Sequence, residues 1–165
     1  MFLDNGINFI KGDYKSFKTT LLWDISKHLH DSGKRLFFIG GTNEKEEHKS
    51  FLRIFNYSFF NSNFVGDRKI FDITYELREN YDYIIIDDID YINDTYIELL
   101  FKTNKTIICT CLTWRAYLQL NYPYLDFFIE NDKIKLQNGD ILSIDGFIKK
   151  IKREDKINLL LNDKG

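Results

Sequence analysis

Gly12, Lys18 and Thr19 stand in one short run, Gly12-Asp13-Tyr14-Lys15-Ser16-Phe17-Lys18-Thr19-Thr20, at the spacing of a phosphate-cradling loop. In such a loop, G-x-x-x-x-G-K-[ST], the first glycine allows a tight exit from a strand, and successive backbone N–H groups curl around an anion. Lys18 would set its ammonium against the β- and γ-phosphates of a nucleotide, and the Thr19 hydroxyl would ligate a bridging Mg²⁺. Thr20 offers a second hydroxyl near the inner phosphate, while Asp13, Tyr14, Lys15 and Ser16 supply the backbone of the cradle. Phe17 departs from the pattern. Glycine is expected there so that the backbone can approach the phosphates, and a ring fits only by pointing away, into the protein or a neighbouring subunit. Taken alone, the run also fits a Lys- and Thr-bearing helix N-terminus that happens to follow a glycine.

A second group of chemical residues lies further on, in Tyr83-Ile84-Ile85-Ile86-Asp87-Asp88. Three isoleucines in a row make a strand apolar on both faces, as in a central parallel strand covered by helices. Two acids tip it. Asp87 is placed to hold the Mg²⁺ shell and Asp88 to orient an attacking water. Asp90 and Asp94 read more simply as helix-capping acids. Thr110, near the end of the apolar run 106–111, either senses a γ-phosphate from a neighbouring strand or is simply a β-former.

These residues need a frame, and the hydrophobic pattern provides one. A short apolar strand over 7–10 leads into the loop, and Leu21, Leu22, Ile25 and Leu29 continue it as a helix that ends near Gly33. Strands are expected over 35–40, 83–87, 106–111 and 127–129. Helices are expected over 44–55, 70–78, 95–101 and 114–120, with a polar-aromatic loop over 56–69. Alternation of this kind specifies an α/β fold with a mostly parallel sheet, whose ligands sit at the carboxyl ends of the strands. The tail differs. Gln137-Asn138-Gly139 between apolar runs signals a hairpin, and 147–151 with 157–161 reads as a second hairpin with a charged tip.

Composition sets the outer limits. The 165 residues form one domain, with a core over about 7–130 and a β-hairpin region over about 131–165; 44% hydrophobic and 29% charged residues are ordinary for a globular chain. A net charge of −2 gives no overall pull toward nucleic acid or membrane. Cys109 and Cys111 form no metal-binding pattern, and a reduced, cytoplasmic setting is expected. No signal peptide or membrane-spanning run is expected.

With these motifs in hand, the chain resembles the RecA-fold P-loop NTPases, and more narrowly the phage and plasmid RecA-like ATPases related to hexameric replicative helicases. Lys15-Ser16-Phe17-Lys18-Thr19 matches the Lys-Ser-x-Lys-Ser/Thr loop of that group, in which a bulky residue before the lysine is tolerated. The resemblance covers residues 7 to about 153 and implies a three-layer α/β fold, ATP and Mg²⁺ as cofactors, and ATP hydrolysis in DNA replication, recombination or packaging. It implies a catalytic acid just after the second strand, making Glu44 a rival of Asp88 for the base. It further implies a homo-oligomer in which Lys150, Lys152 and Arg153 reach a neighbour's γ-phosphate, although the same basic run suits a solvated sheet edge. Trp114 and Arg115 fall where the relatives place a loop facing single-stranded DNA, and a packed tryptophan beside an exposed arginine explains them equally well. Two other readings remain: an inactive scaffold of a replication or virion complex, and a nucleoside or nucleotide kinase.

Overall fold

The computed structural model describes residues 2, 4–40, 59–61, 81–91, 94–112 and 122–162. In chain order the elements are β1 (Ile7–Gly12), α1 (Lys18–Asp31), β2 (Leu36–Gly40), β3 (Phe59–Asn61), β4 (Tyr83–Asp87), a 3-10 turn (Ile89–Tyr91), α2 (Asp94–Phe101), β5 (Thr106–Cys111), β6 (Tyr124–Glu130), β7 (Lys133–Leu136), β8 (Ile141–Ser143) and α3 (Ile144–Asn162). The strands form one sheet in the order β3-β2-β4-β5-β1-β6-β7-β8. From β3 to β6 every pairing is parallel, and β7 and β8 extend the sheet in antiparallel fashion. Helices expected over 44–55, 70–78 and 114–120 fall outside the described residues.

Each central strand is apolar on both sides because both sides are covered. Ile84 and Ile86 join Phe9, Ile107, Cys109, Cys111 and the α2 residues Ile97, Leu100 and Phe101 in one cluster. Ile85 turns the other way, into a cluster with Leu21, Leu22 and Ile25 of α1 and Phe147 and Ile151 of α3. The result is three layers, with α1 and α3 on one face and α2 on the other. Full burial of each such isoleucine is worth about 1.5–3 kcal/mol, so the triple-isoleucine strand anchors the sheet. Asn8, fully buried in β1, donates its side-chain amide to the Ile107 carbonyl at 3.1 Å, which satisfies a polar group in an apolar strand.

The position of β1 matters most for function. It lies between β5 and β6, so the chain leaves β1 toward one side of the sheet and later returns across it to the other. A strand-order reversal of this kind opens a crevice at the carboxyl ends of the strands. Gly12 and Asp87, the last residues of β1 and β4, both end there.

Three features differ from the sequence expectation. The segment read as a loop over 56–69 contains a short parallel strand, β3, paired with β2 from Phe38↔Phe59 to Gly40↔Asn61. The second hairpin does not form: residues 144–162 are helix α3. Ser143 caps it by accepting a hydrogen bond from the Gly146 N–H at 3.0 Å, and Ile144, Phe147, Ile148 and Ile151 line its inner face at helical spacing. The antiparallel addition also begins one hairpin earlier than expected. Asn131 and Asp132 both adopt left-handed backbone, φ 46° and 60°, and turn β6 directly into β7. Two consecutive positive φ values match a tight type I′ turn, for which Asn and Asp are suited. The expected hairpin around Gly139, φ 91°, joins β7 to β8.

Candidate functional site

The loop between β1 and α1 is built from alternating backbone conformations. Lys15 and Phe17 have φ of 63° and 62°, while Tyr14 and Ser16 between and before them do not enter the left-handed region. Such alternation turns successive N–H groups into a concave, anion-binding nest. Ser16 N–H bonds the Asp13 carbonyl at 3.3 Å and tightens the turn. Helix α1 then begins with neither a side-chain cap nor an acid in its first turn, so its dipole and N–H groups are presented to the loop.

Gly12 sits where space is tight. A Cβ there would collide with Ser16 Oγ and lie 3.2 Å from the Ile129 carbonyl oxygen of β6. Phe17 is a different case: it holds the left-handed conformation that glycine adopts without strain, and its ring is 55% exposed. The ring therefore points to solvent within this chain and not into the protein, and the backbone beneath it keeps the shape the loop needs. The cost of left-handed backbone for a non-glycine residue is about 1–2 kcal/mol.

Lys18 is buried, with 7% of its surface exposed, and its ammonium curls back into the loop. It donates to the Gly12 carbonyl at 2.8 Å, the Asp13 carbonyl at 2.7 Å and Ser16 Oγ at 3.4 Å. A positive charge thus lies at the heart of the cradle. Thr19, the next residue, donates its hydroxyl to Asp87 Oδ1 at 3.1 Å across the gap between α1 and β4. Asp87 is 3% exposed, and its Oδ1 receives a second hydroxyl, that of Thr110 on β5, at 2.8 Å. The Asp88 N–H in turn donates to Thr110 Oγ1 at 2.6 Å, and Asp88 has φ 57°. Asp90, expected as a cap, accepts from the Leu112 N–H at 2.7 Å at the end of β5.

A hydroxyl in hydrogen-bond contact with a carboxylate, one residue along from a buried ammonium, offers the hard-oxygen ligands that Mg²⁺ selects, and a nest of backbone N–H groups suits an oxyanion. The residues present therefore fit a nucleoside triphosphate with its cation. Lys18, the loop backbone and the N-terminus of α1 would hold the phosphates. Thr19 and Asp87 would hold Mg²⁺.

The structure brings Gly12, Lys18, Thr19, Asp87, Asp88 and Thr110 to one end of the sheet. Asp13, Tyr14, Lys15 and Thr20 are exposed around it, Tyr14 to 73%. Lys150, Lys152 and Arg153, expected at a hairpin, lie instead on α3. Burial raises the Asp24 carboxyl above its ordinary value while the Lys152 ammonium lowers it, which puts Lys152 beside α1. Glu44, Trp114 and Arg115 lie outside the described residues.

Sequence reasoning missed one pair next to the loop. Lys11, immediately before Gly12, bonds Asp126 Oδ2 at 2.8 Å between β1 and β6, with side-chain exposures of 8% and 14%. Its ammonium also sits 5.4 Å from the ring centres of both Phe9 and Phe128. A lysine closing one apolar strand and an aspartate opening another were the available signal, but their pairing depends on strand order.

No protein-family model matches the chain, and no curated protein matches it in sequence. Solved structures do. The flagellar accessory protein FlaH from Methanocaldococcus jannaschii superposes with a TM-score of 0.55 at 12% identity, covering 82% of this chain and 79% of FlaH. A KaiC-like protein from Pyrococcus horikoshii superposes at 0.51 and 13% identity, covering 86% of this chain and 84% of that one. The fold is RecA-like. In that RecA-like frame the loop after β1 and the acid at the tip of β4 lie on either side of β5, and the Thr19 hydroxyl at the start of α1 spans the gap to Asp87. No helix among the described residues is long and apolar enough to cross a membrane.

Proposed function

We propose that this chain binds ATP with Mg²⁺ at the loop between β1 and α1 and hydrolyses it. The observation that carries the reading is the Lys18, Thr19 and Asp87 constellation: a buried ammonium in a closed backbone cradle, one residue from a hydroxyl held 3.1 Å from a buried carboxylate. Mg²⁺ supplies charge neutralisation on the phosphate oxygens when bound. Lys18 and the loop N–H groups orient the triphosphate and stabilise charge as the terminal phosphoryl group leaves. Asp88 accepts the proton of the water whose oxygen bonds the γ-phosphorus, while the bond to the bridging oxygen breaks and ADP departs. The resemblance adds an oligomer and a DNA substrate, with Glu44 as the rival base, Lys150, Lys152 and Arg153 reaching a neighbouring site, and Trp114 and Arg115 meeting single-stranded DNA.

The test is ATP binding and hydrolysis, with and without single-stranded DNA, for the native chain and for Lys18→Ala and Asp87→Ala. Turnover that DNA stimulates and both substitutions abolish supports the full reading. No nucleotide affinity in the native chain sinks it. Binding without turnover moves the chain to a nucleotide-holding scaffold, and phosphate transfer to a nucleoside makes it a kinase.

A further inference from the structure

Thr110 places a single hydroxyl against both the Asp87 carboxylate and the Asp88 backbone N–H at the tip of β4. It is fully buried, so water does not compete for it. Its proton is given to Asp87 Oδ1 at 2.8 Å, and its oxygen receives the Asp88 N–H at 2.6 Å. Both bonds have consequences. The first, with the Thr19 hydroxyl on the same oxygen at 3.1 Å, gives the Asp87 carboxylate one donor from α1 and one from β5. The second ties down the Asp88 backbone at φ 57°, a left-handed conformation that aspartate adopts more readily than most residues and that this hydrogen bond holds in place.

We infer that Thr110 is a positioning residue: it clamps the cation-binding Asp87 carboxylate and the left-handed Asp88 backbone together, so that one hydroxyl sets the geometry at the tip of β4. This role rests on the nucleotide reading above and deepens it. It differs from a γ-phosphate sensor, because a hydroxyl whose proton is committed to Asp87 has none left to give a phosphate. Threonine suits the task better than serine or valine. Its β-branch fits the strand and fixes χ1, and its hydroxyl both donates and accepts.

The experiment compares Thr110→Val, which keeps the shape and removes the hydroxyl, with Thr110→Ser, which keeps the hydroxyl. Four quantities are read: ATP affinity in excess chelator, the ratio of ATP to ADP affinity, the Mg²⁺ concentration giving half of the Mg²⁺-dependent affinity gain, and hydrogen exchange at the Asp88 amide. The clamp predicts that Thr110→Val raises the Mg²⁺ midpoint roughly 10- to 100-fold, the usual effect of removing a group that orients a metal ligand. Metal-free ATP affinity stays within about threefold, since the phosphate cradle is untouched. The Asp88 amide exchanges faster in Thr110→Val, and Thr110→Ser restores both readouts. A Thr110→Val chain that loses discrimination between ATP and ADP at an unchanged Mg²⁺ midpoint overturns the clamp in favour of a sensor. An Asp88 amide unprotected in the native chain overturns it whatever the nucleotide does. If the native amide is protected but no ATP binds, the nucleotide reading fails, and the functional role of the clamp fails with it.

Discussion

The two ends of the loop between β1 and α1 pose the same demand and meet it differently. The loop pattern asks for glycine at Gly12 and again at Phe17. At Gly12 the demand is for space: the Ile129 carbonyl of β6 and the Ser16 side chain fill the volume that a Cβ would take. At Phe17 the demand is for conformation: the backbone sits at φ 62°, and the side chain leaves toward solvent. The difference teaches which glycines can be replaced. A side chain at a crowded position must displace its neighbours, whereas a conformational demand can be met by another residue at about 1–2 kcal/mol.

That contrast can be broken from several sides. The largest effect is expected beneath Gly12, where Lys11 and Asp126 join β1 to the strand that walls the loop. Lys11→Met leaves the largely buried Asp126 charge without its Lys11 partner, its Oδ1 already lacking a hydrogen-bond partner among the described residues, and should cost about 3–5 kcal/mol in denaturant unfolding. An unchanged midpoint would mean that the wall behind Gly12 does not depend on this pair. Next comes Gly12→Val, for which overpacking predicts a loss of about 1–3 kcal/mol together with loss of ATP binding. Retained nucleotide affinity in that variant would remove the steric half of the comparison. A smaller effect is expected at the other end. Phe17→Gly relieves left-handed strain but adds the chain entropy of glycine, roughly 0.5–1 kcal/mol, so thermal unfolding should report a net change below about 1 kcal/mol.

A signal confined to alkaline pH comes from β5, whose Cys111 pairs in register with Lys11. Burial is the main cause that pushes its thiol from 9.0 up to about 12, and burial pushes Cys109 upward as well. A thiol whose pKa is raised on folding contributes stability that is intact below 9.0 and lost as pH rises toward about 12. Stability should therefore fall across that alkaline window, less steeply in Cys111→Ala, and neither thiol should react with a labelling reagent in the native chain at pH 7–8. Fast labelling confined to Gly12→Val would show that damage at the loop spreads into the sheet.

How much of this could be read in the sequence depended on the range of the interaction. The loop, the triple-isoleucine strand and Asp87 were legible because each is written in consecutive residues, and the helix after the loop follows from the spacing of Leu21, Leu22, Ile25 and Leu29. Helix α3 was missed although its own signals were local: Ser143 stands three residues before Gly146, and a 3.6-residue stripe runs through Ile144, Phe147 and Ile151. Short apolar runs separated by charges imitate strands, and here the helical period won because α3 could pack against α1 and β6. The Lys11–Asp126 pair and the double use of the Thr110 hydroxyl were not legible at all. Both depend on which strands lie side by side, and Lys11 and Asp126 are 115 residues apart in the chain.

The central claim is that Phe17 preserves a working phosphate loop, since its backbone already has the conformation of the glycine it replaces. The direct measurement is calorimetric titration of the native chain and Phe17→Gly with ATP and Mg²⁺. The account predicts binding by both, with dissociation constants within about threefold of each other. A native chain that does not bind while Phe17→Gly does, or a gain of more than about thirtyfold on introducing glycine, would contradict it.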